Sequence, residues 1–492
     1  MQTRPGIERI TVAVVVSACA GMAICVGLTG LGLRFTVAAP LALLLSVAGV
    51  IWSSRRLPGD LDGIRTRKPL LSAAWLLLAL VALIQTARLS VFMSDPTQPQ
   101  QSLFPGDAWL VEHCCLTAYS ESARLSGEGE TNIYNVSLYR DRKLASFNVD
   151  PYHYPPPFLL LPLTVRAAAG GDFVAVRAIW FGAGALALIL AMGLVTLRLE
   201  PEGQLRAIGM APLIWCSMPV LSGLQMSNVQ ILIVSISVIA LVFLPRKTPV
   251  GGLLLAMSAV GKIFPGILFV YLLARRKWRE AAWTAGFAVA LTVVALLVVG
   301  PAPFRAFIEY ELPRLSSGEA FARPFSRVFA VARNMAPFGI PLKLGWLGIP
   351  GMTMEVGRVV SMVYVVGVVG LAIWSGRRQP RSSIEAVSVW LSLLSLGTLA
   401  SPFAPANYVL VSLVWLVCIN RDLFTPAVAI AVWLSISVPF FIPREAPFLL
   451  QAICFFPAQA LAIGVPVVIL WSAGTEHAYE EARETGRVPA LA

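Results

Sequence analysis

Long apolar stretches separated by short polar connections dominate the pattern along this chain. Stretches such as Leu70–Ala87, Ile179–Leu197 and Ala281–Val299 are almost continuously apolar over the length of a spanning helix. A membrane-spanning strand would instead alternate apolar and polar residues. The pattern therefore predicts an all-α polytopic membrane protein with about twelve transmembrane helices, near residues 10–33, 35–53, 70–93, 172–197, 206–223, 227–245, 281–300, 356–375, 384–400, 406–419, 424–441 and 447–471.

Two further apolar pieces, 158–169 and 250–274, do not fit a simple succession of spans. The first is too short to cross, and the second has basic residues at both ends but is too short for two spans. We interpret both as re-entrant half-helices, which bilayers tolerate only where protein or a water-filled cavity covers the broken backbone. The pattern thus predicts a buried cavity. The first apolar stretch lacks a convincing cleavage site, so we expect a retained anchor.

Composition and charge support a membrane class and exclude a soluble one. The 492 residues are 57% hydrophobic and only 13% charged, with a mean hydropathy of +0.76. The net charge of +12 does not indicate a nucleic-acid partner, because most basic residues lie in short connections between apolar runs. The positive-inside rule assigns the basic connections at 55–68, 246–247, 275–279 and 377–378 to the cytoplasm.

This assignment places both termini inside and the candidate site on the outer face of the membrane. The loop 94–155, the connection 301–355 and the turn 401–407 would then lie outside. The predicted divisions are N-terminal helices 1–93, an extracytoplasmic loop with a re-entrant segment 94–171, membrane helices with a re-entrant segment 172–300, a second extracytoplasmic loop 301–355, C-terminal helices 356–472 and a cytoplasmic tail 473–492.

The outer loop carries a carboxylate at a position that suits catalysis. Asp107 follows the turn signal Pro105-Gly106 and precedes 108–125, which we predict to be an amphipathic helix on the outer leaflet. Its carboxylate would lie where a membrane cavity opens to water. Asp107 could equally be the N-cap of that helix, since both its type and its position allow it.

Lys262 lies midway along the apolar piece 250–274, where a central lysine costs roughly 2.5–3.5 kcal/mol. A cost of that size usually requires a partner, and an ammonium directed into a cavity would suit an anionic phosphate. The alternatives are snorkelling toward headgroups and a structural ion pair.

The outer connection 301–355 contains five arginines among aromatic residues. Guanidinium groups match phosphate oxygens, so Arg314, Arg323 and Arg327 are candidate phosphate ligands. Contacts with headgroups or with nearby glutamates would also explain such arginines.

The outer-loop histidines and cysteines do not predict a metal site. Without a compact cluster of carboxylates or thiols, His113 and His153 do not make a metal site. Cys114 and Cys115 are adjacent and cannot easily bridge each other, so we interpret them as small apolar fillers. We therefore expect neither a metal nor another cofactor.

The stretch from Tyr152 to Leu163 resembles glycosyltransferase family 87, polytopic enzymes of the GT-C class. That family has an outer-loop aspartate before a helix and then a Tyr-Pro-Pro segment leading into Leu/Pro-rich sequence, which Asp107 and Tyr154-Pro155-Pro156 match. Three later motifs resemble the family in the same order, at Ser227–Gln230, at Gly261–Pro265 before the basic turn Arg275–Arg279, and at Ser401-Pro402.

Two departures from the family pattern bear on the acceptor more than on the reaction. An apparent extra helical hairpin precedes the aspartate loop, and the late turn 401–408 lacks the histidines often found there.

The resemblance implies inverting transfer from a polyprenyl-phosphate sugar, with mannose the expected sugar, to an acceptor hydroxyl on the extracytoplasmic face. Asp107 would be the general base, and Lys262 with Arg314, Arg323 or Arg327 would bind the donor phosphate. The implied substrate-binding residues are Glu112, His113, Tyr152, His153, Tyr154, Asn228, Gln230 and Asn407. The partners would be the lipid-linked donor, membrane lipids and a glycolipid, glycan or protein acceptor. The expected location is a bacterial inner (plasma) membrane, with the active site facing the periplasm or exterior.

Two other functions remain open at the level of sequence. A transporter or flippase for a lipid or small solute would also have about twelve spans and broken helices, although no repeat relates the two halves of the chain. A ligase or polymerase of surface polysaccharide would also act outside, but on lipid-diphosphate donors.

Overall fold

The computed structural model describes residues 5–420 and 424–473, and the predicted tail lies outside this range apart from Ala473. Within it the chain is almost entirely helical, which confirms the all-α polytopic membrane class. Seven helices of the described residues are long and apolar enough to cross a membrane: Ile7–Gly30, Phe35–Ser54, Pro69–Ser94, Phe173–Thr196, Trp278–Val299, Met354–Gly376 and Phe448–Ser472.

The other five predicted spans fold as shorter or broken helices. Pro201–Trp215 and Met218–Gln225 are bent by 53° and can form an eighth span as a pair. The remaining four correspond to Gln230–Phe243, Ser383–Thr398, Ala406–Val409 with Val411–Ile419, and Pro426–Ser437 with the 3-10 turn Val438–Phe441. The count of twelve therefore stays a prediction.

The connecting segments contain short helices and one small hairpin. The remaining α-helices are Ile64–Arg67, Ala108–Glu112, Leu116–Gly127, Leu160–Ala168, Thr248–Gly261, Gly266–Ala274, Ala302–Ala306, Leu312–Ser317, Ala322–Phe325, Val328–Ala332 and Gly339–Trp346. Single 3-10 turns occupy Gly59–Leu61, Pro99–Gln101, Val136–Leu138, Pro156–Leu159 and Glu319–Phe321, and Phe307–Glu311 is a π-helical turn. Strands Lys143–Leu144 and Phe147–Asn148 pair antiparallel.

The first and fourth long helices pack closely because glycines face each other. A Cβ atom placed on Gly182 would lie 2.7 Å from the carbonyl oxygen of Ala23 and 3.1 Å from Cα of Gly27. Helices in membranes commonly associate through such small residues, which allow the backbones to approach. This contact fixes the helix Phe173–Thr196, against which the outer loop packs.

The outer loop corrects the prediction of one amphipathic helix over 108–125. The helix ends at Glu112, and His113 is extended, with φ −102° and ψ 128°, and forms a parallel bridge with Asn148. The amide of Cys115 then donates to the carbonyl of Met226 at 2.8 Å. These tertiary hydrogen bonds override the helical pattern. The second helix, Leu116–Gly127, is almost wholly buried and does not rest on a lipid surface.

Buried polar residues fasten this loop to the membrane helices. Gln225 accepts from the amide of Leu103 at 2.7 Å and donates to the carbonyl of Leu110 at 2.9 Å. Glu121, fully buried, pairs with Arg124 and Arg142, each at 2.7 Å. Buried carboxylates persist where charged donors satisfy them. The loop is therefore held as a fixed part of the fold.

The second predicted outer connection contacts the late turn 401–407. Asn334 donates to the carbonyl of Pro402 and accepts from the amide of Ala404, both at 2.9 Å. The amide of Met335 donates to the carbonyl of Ala404 at 2.8 Å. A single buried amide thus joins two segments that are nearly seventy residues apart.

The predicted break in 250–274 is present at Lys262. The helix Thr248–Gly261 ends there, and the next helix begins at Gly266. Between them Lys262 is extended, with φ −153° and ψ 125°. No membrane position is defined for either piece, so the re-entrant interpretation of 158–169 and 250–274 stays a prediction.

Candidate active site

Asp107 is the N-cap that its local sequence allowed, and its second carboxylate oxygen has a tertiary partner. Its Oδ1 accepts from the amide of Leu110 at 3.1 Å, so it is the N-cap of Ala108–Glu112. Its Oδ2 accepts from Nε of Arg444 at 2.7 Å. The side chain is 26% exposed, which leaves an approach for a substrate hydroxyl.

Arg444 was missed at the level of sequence, and it links Asp107 to the interior of the site. Its guanidinium lies 3.8 Å from the ring centre of Trp109, and that ring stacks on His113 at 4.1 Å with an interplanar angle of 14°. Arg444 follows Asp107 by 337 residues, so no local pattern could have paired them.

His113 leads to a group of three potential ligands that we name the His–Cys–Asp group: His113, Cys115 and Asp150. Nδ1 of His113 lies 3.4 Å from Oδ2 of Asp150, and its Nε2 lies 3.7 Å from Sγ of Cys115. The expectation that no carboxylate or thiol would gather around His113 was wrong. Asp150 is distant in sequence, and Cys115 was interpreted as a filler.

Desolvation sets the direction in which the pKa values of this group shift. The surrounding protein raises the pKa of the Asp150 carboxyl, although 34% of its side chain is exposed, and the charges of His113 and of nearby arginines oppose the shift. Burial lowers the pKa of His113, against the attraction of Asp150.

Asn228 continues the site at a strained turn. Ser227 is buried and has φ 52°, a conformation that residues other than glycine adopt rarely. Nδ2 of Asn228 donates to Sγ of Cys115 at 3.3 Å, and its Oδ1 accepts from the amide of Gln230 at 2.9 Å. Strain of this kind is often found at functional sites.

Lys262 lies beside Asn228 among neutral groups. Its Nζ donates to Oε1 of Gln230 at 2.9 Å, and Nε2 of Gln230 donates to Oγ1 of Thr398 at 2.9 Å. The ammonium also lies 5.7 Å and 5.4 Å from the ring centres of Tyr154 and Tyr408. No carboxylate of the described residues lies within ion-pair distance of it. The structure thus offers no protein counter-ion there.

Tyr152 and Tyr154, which precede Pro155-Pro156, differ in placement. The Tyr154 hydroxyl hydrogen-bonds that of Tyr119 at 2.8 Å and also contacts Asn228. Tyr152 is fully buried, and its hydroxyl donates to the carbonyl of Pro155 at 3.3 Å. Tyr152 therefore supports the segment from within the core, whereas Tyr154 faces Lys262.

The candidate phosphate arginines are not equivalent. Arg314 donates to Glu311 and Glu319 at 3.4 Å and 3.1 Å, and Glu311 also lies 2.7 Å from Nδ1 of His153. Arg323 and Arg327 are exposed, and their guanidinium groups have no hydrogen-bond or ion-pair partner among residues 5–420 and 424–473. Their charges nonetheless act on Asp150.

Glu112 and Asn407 lie at the margin of the site. Glu112 accepts from Nδ2 of Asn148 at 3.2 Å and lies 3.7 Å from Nζ of Lys143, with 44% of its side chain exposed. Asn407 is buried, and its Nδ2 has no hydrogen-bond partner in the described part of the chain. The structure therefore does not bring Glu112 into the site, while the buried Nδ2 donor of Asn407 remains unpaired among the described residues.

Contacts thus run without a gap from Asp107 to Lys262. We name this set the polar cluster, and its members are Asp107, Trp109, His113, Cys115, Asp150, Tyr154, Asn228, Gln230, Lys262 and Arg444. It combines carboxylates, an uncompensated cation and neighbouring free guanidinium groups. Such a set can position an anionic group and accept a proton.

Comparison with known proteins identifies the family of this chain. No curated protein and no solved structure matches the chain. The family model for glycosyltransferase family 87 matches residues 152–402, which is just over half of the chain and includes Lys262, Arg323 and Arg327. This chain therefore belongs to glycosyltransferase family 87 and is a membrane glycosyltransferase.

Proposed function

We propose that the protein transfers mannose from a polyprenyl-phosphate donor to an acceptor hydroxyl on the extracytoplasmic face, with inversion at the anomeric carbon. The acceptor would be a glycolipid, a glycan or a protein. Family membership supports sugar transfer in general. The observation that carries the choice of donor is Lys262, an ammonium with only neutral partners inside an apolar chain segment.

An ammonium placed this way has a phosphate as its natural ligand. Burial of a lysine in the membrane interior costs roughly 2.5–3.5 kcal/mol. The amide of Gln230 and the rings of Tyr154 and Tyr408 offset part of that cost without neutralising the charge. A lipid phosphate would supply the missing negative charge. It also has its tail in the bilayer, where a nucleotide sugar would not partition.

Arg323 and Arg327 extend the same argument toward the loop side. Their free guanidinium groups can each donate two hydrogen bonds to phosphate oxygens. Arg314 is a weaker candidate than either of them, because Glu311 and Glu319 already accept from it. We therefore assign the donor phosphate to Lys262, Arg323 and Arg327.

Asp107 would act as the general base in this scheme. The acceptor oxygen attacks the anomeric carbon from the face opposite the phosphate, and its proton passes to the Asp107 carboxylate. The bond from the anomeric carbon to the phosphate oxygen breaks, and the polyprenyl phosphate leaves with the electron pair. Lys262 stabilises the charge that develops on that oxygen. The cap and the Arg444 contact hold Asp107 in place.

A donor-transfer assay with purified protein in detergent tests the proposal. Labelled polyprenyl phosphomannose and membrane acceptors are supplied to wild type, Lys262→Gln and the control Lys247→Gln, which removes an exposed lysine elsewhere in the chain. We expect Lys262→Gln to lower kcat/KM by about 100-fold or more. Lys247→Gln should retain wild-type transfer.

Three outcomes of this transfer assay lead to different conclusions. Equal transfer by wild type and Lys262→Gln would remove the lysine from the donor site. Transfer from a phosphopentose or a lipid diphosphate, but not from phosphomannose, would overturn the choice of donor while leaving the glycosyltransferase class intact. Because detergent abolishes any gradient, transfer by wild type also excludes a purely transporting role.

A further inference from the structure

The His–Cys–Asp group has the composition and spacing of a metal site. One donor atom from each of His113, Cys115 and Asp150 lies within 4.8 Å of the other two. We propose that these three side chains bind one divalent transition-metal ion of the zinc class. This inference does not rest on the donor sugar or on the assignment of the base.

The distances within the group suit ligands around an ion better than hydrogen bonds between the side chains. Sγ of Cys115 and Nε2 of His113 are 3.7 Å apart, close to the separation of about 3.6 Å that tetrahedral Zn–S and Zn–N bonds require. The Nδ1–Oδ2 separation between His113 and Asp150 is 3.4 Å, beyond the usual range of N–H···O hydrogen bonds. The two distances involve different ring nitrogens, and only one of them can bind the ion. Because one donor atom from each residue lies within 4.8 Å of the other two, side-chain rotation can direct all three to one ion.

The chemical types select the metal. Thiolate, imidazole and carboxylate together are typical ligands of zinc, whereas magnesium and calcium prefer oxygen ligands throughout. Three protein ligands leave a fourth position for water or a substrate oxygen, as in zinc sites that keep an open position. The 34% exposure of the Asp150 side chain gives solvent access on that side.

Surrounding residues orient the three ligands. Nδ2 of Asn228 donates to Sγ of Cys115 at 3.3 Å, a contact that stabilises a thiolate. The strained turn at Ser227 places that amide, and the ring of Trp109 stacks on the imidazole of His113. Supporting contacts of this kind fix ligand geometry in metal sites and are costly to remove.

Metal content measures the proposal directly. The protein is purified with a tag that contains no histidine, equilibrated with limiting Zn²⁺, separated from free ion by gel filtration and analysed by elemental mass spectrometry. Wild type should retain about one ion per chain, as expected for a single site. Cys115→Ser, His113→Ala and Asp150→Asn should each retain far less.

Matched controls come from the same residue types outside the group. Cys454→Ser and Asp60→Asn remove a partly buried thiol and an exposed carboxylate, and both should retain wild-type metal content. Replacing zinc by Co²⁺ adds a spectroscopic readout, because a thiolate ligand gives a charge-transfer band that Cys115→Ser must lose. Co²⁺ spectra also identify tetrahedral coordination in wild type.

Two outcomes would overturn the proposal. Wild-type protein that elutes without bound metal after exposure to both Zn²⁺ and Co²⁺ would show that the group does not hold an ion. Equal metal content in Cys115→Ser, His113→Ala and the two controls would place any bound ion elsewhere. The wild-type measurement tests the proposal even if a variant of the His–Cys–Asp group fails to fold.

Discussion

Replacing Asp107 by asparagine separates the catalytic role of this carboxylate from its structural ones. Asparagine caps a helix about as well as aspartate, so the contact with the amide of Leu110 should persist. The substitution removes the charge that Arg444 pairs with and the group that would accept a proton. Any large loss of turnover must then come from one of these two effects.

The two effects change different quantities, turnover and stability, so they can be measured separately. Loss of a general base lowers turnover by about 100- to 10,000-fold. Breaking a fully buried ion pair costs about 3–5 kcal/mol of stability. Here Asp107 is 26% exposed and Arg444 is 10% exposed, so we expect a smaller loss of about 1–3 kcal/mol. Loss of the ion pair alone would lower the melting temperature, and the folded enzyme would keep a normal base.

Arg444→Gln is the matched control, because it breaks the same ion pair and keeps the carboxylate. We expect Asp107→Asn to lose at least about 100-fold in kcat, and Arg444→Gln to lose much less while showing a similar fall in melting temperature. Both variants are compared at equal folded yield with the labelled donor. Equal losses of kcat would show that Asp107 acts only by holding Arg444, and full activity of Asp107→Asn would refute the base assignment.

Three further substitutions test the packing of the fold and the donor site. Gly182→Val should lower the melting temperature in detergent, because the added methyl groups meet backbone atoms of the first helix, whereas Gly193→Val in the same helix meets open space. Glu121→Gln leaves two arginines without their buried carboxylate and should cost about 2–4 kcal/mol, but exposed Glu128→Gln should change stability by less than about 0.5 kcal/mol. Arg323→Ala should raise the donor Kd by about tenfold or more, an effect that high salt should reduce, and an unchanged Kd would contradict a phosphate contact.

The sequence predicted the class of the fold and the cation of the site, since both follow from local patterns. Apolar runs of spanning length indicated the membrane helices, and Lys262 was conspicuous as a charge within one of them. The Pro-Gly signal before Asp107 correctly located a helix start. Periodicity failed at 108–125, where hydrogen bonds to Asn148 and Met226 break the helix.

Groups that tertiary contacts assemble left no local signal. Asp150 follows a two-residue strand and reaches His113 only because the loop folds back on itself. Cys115 was interpreted as a filler because its neighbours in the sequence do not indicate where its thiol points. Arg444 lay in a connection between predicted spans, and nothing in its neighbours indicates that it would meet Asp107.

The family match divides the polar cluster into two parts that have different support. Lys262 and its amide partner Gln230 lie within the matched segment, and the donor-phosphate role proposed for them rests on their local contacts. Asp107 and Arg444 lie outside it, on either side, and they join the polar cluster through their mutual contact and through the Trp109 ring. Because those two residues are 337 positions apart, their contact joins the outer loop to the connection that precedes the last long helix. Loss of the Arg444 contact should therefore lower the melting temperature more than kcat, whereas loss of the Asp107 carboxylate should lower kcat as well, and the comparison of Asp107→Asn with Arg444→Gln separates these two effects.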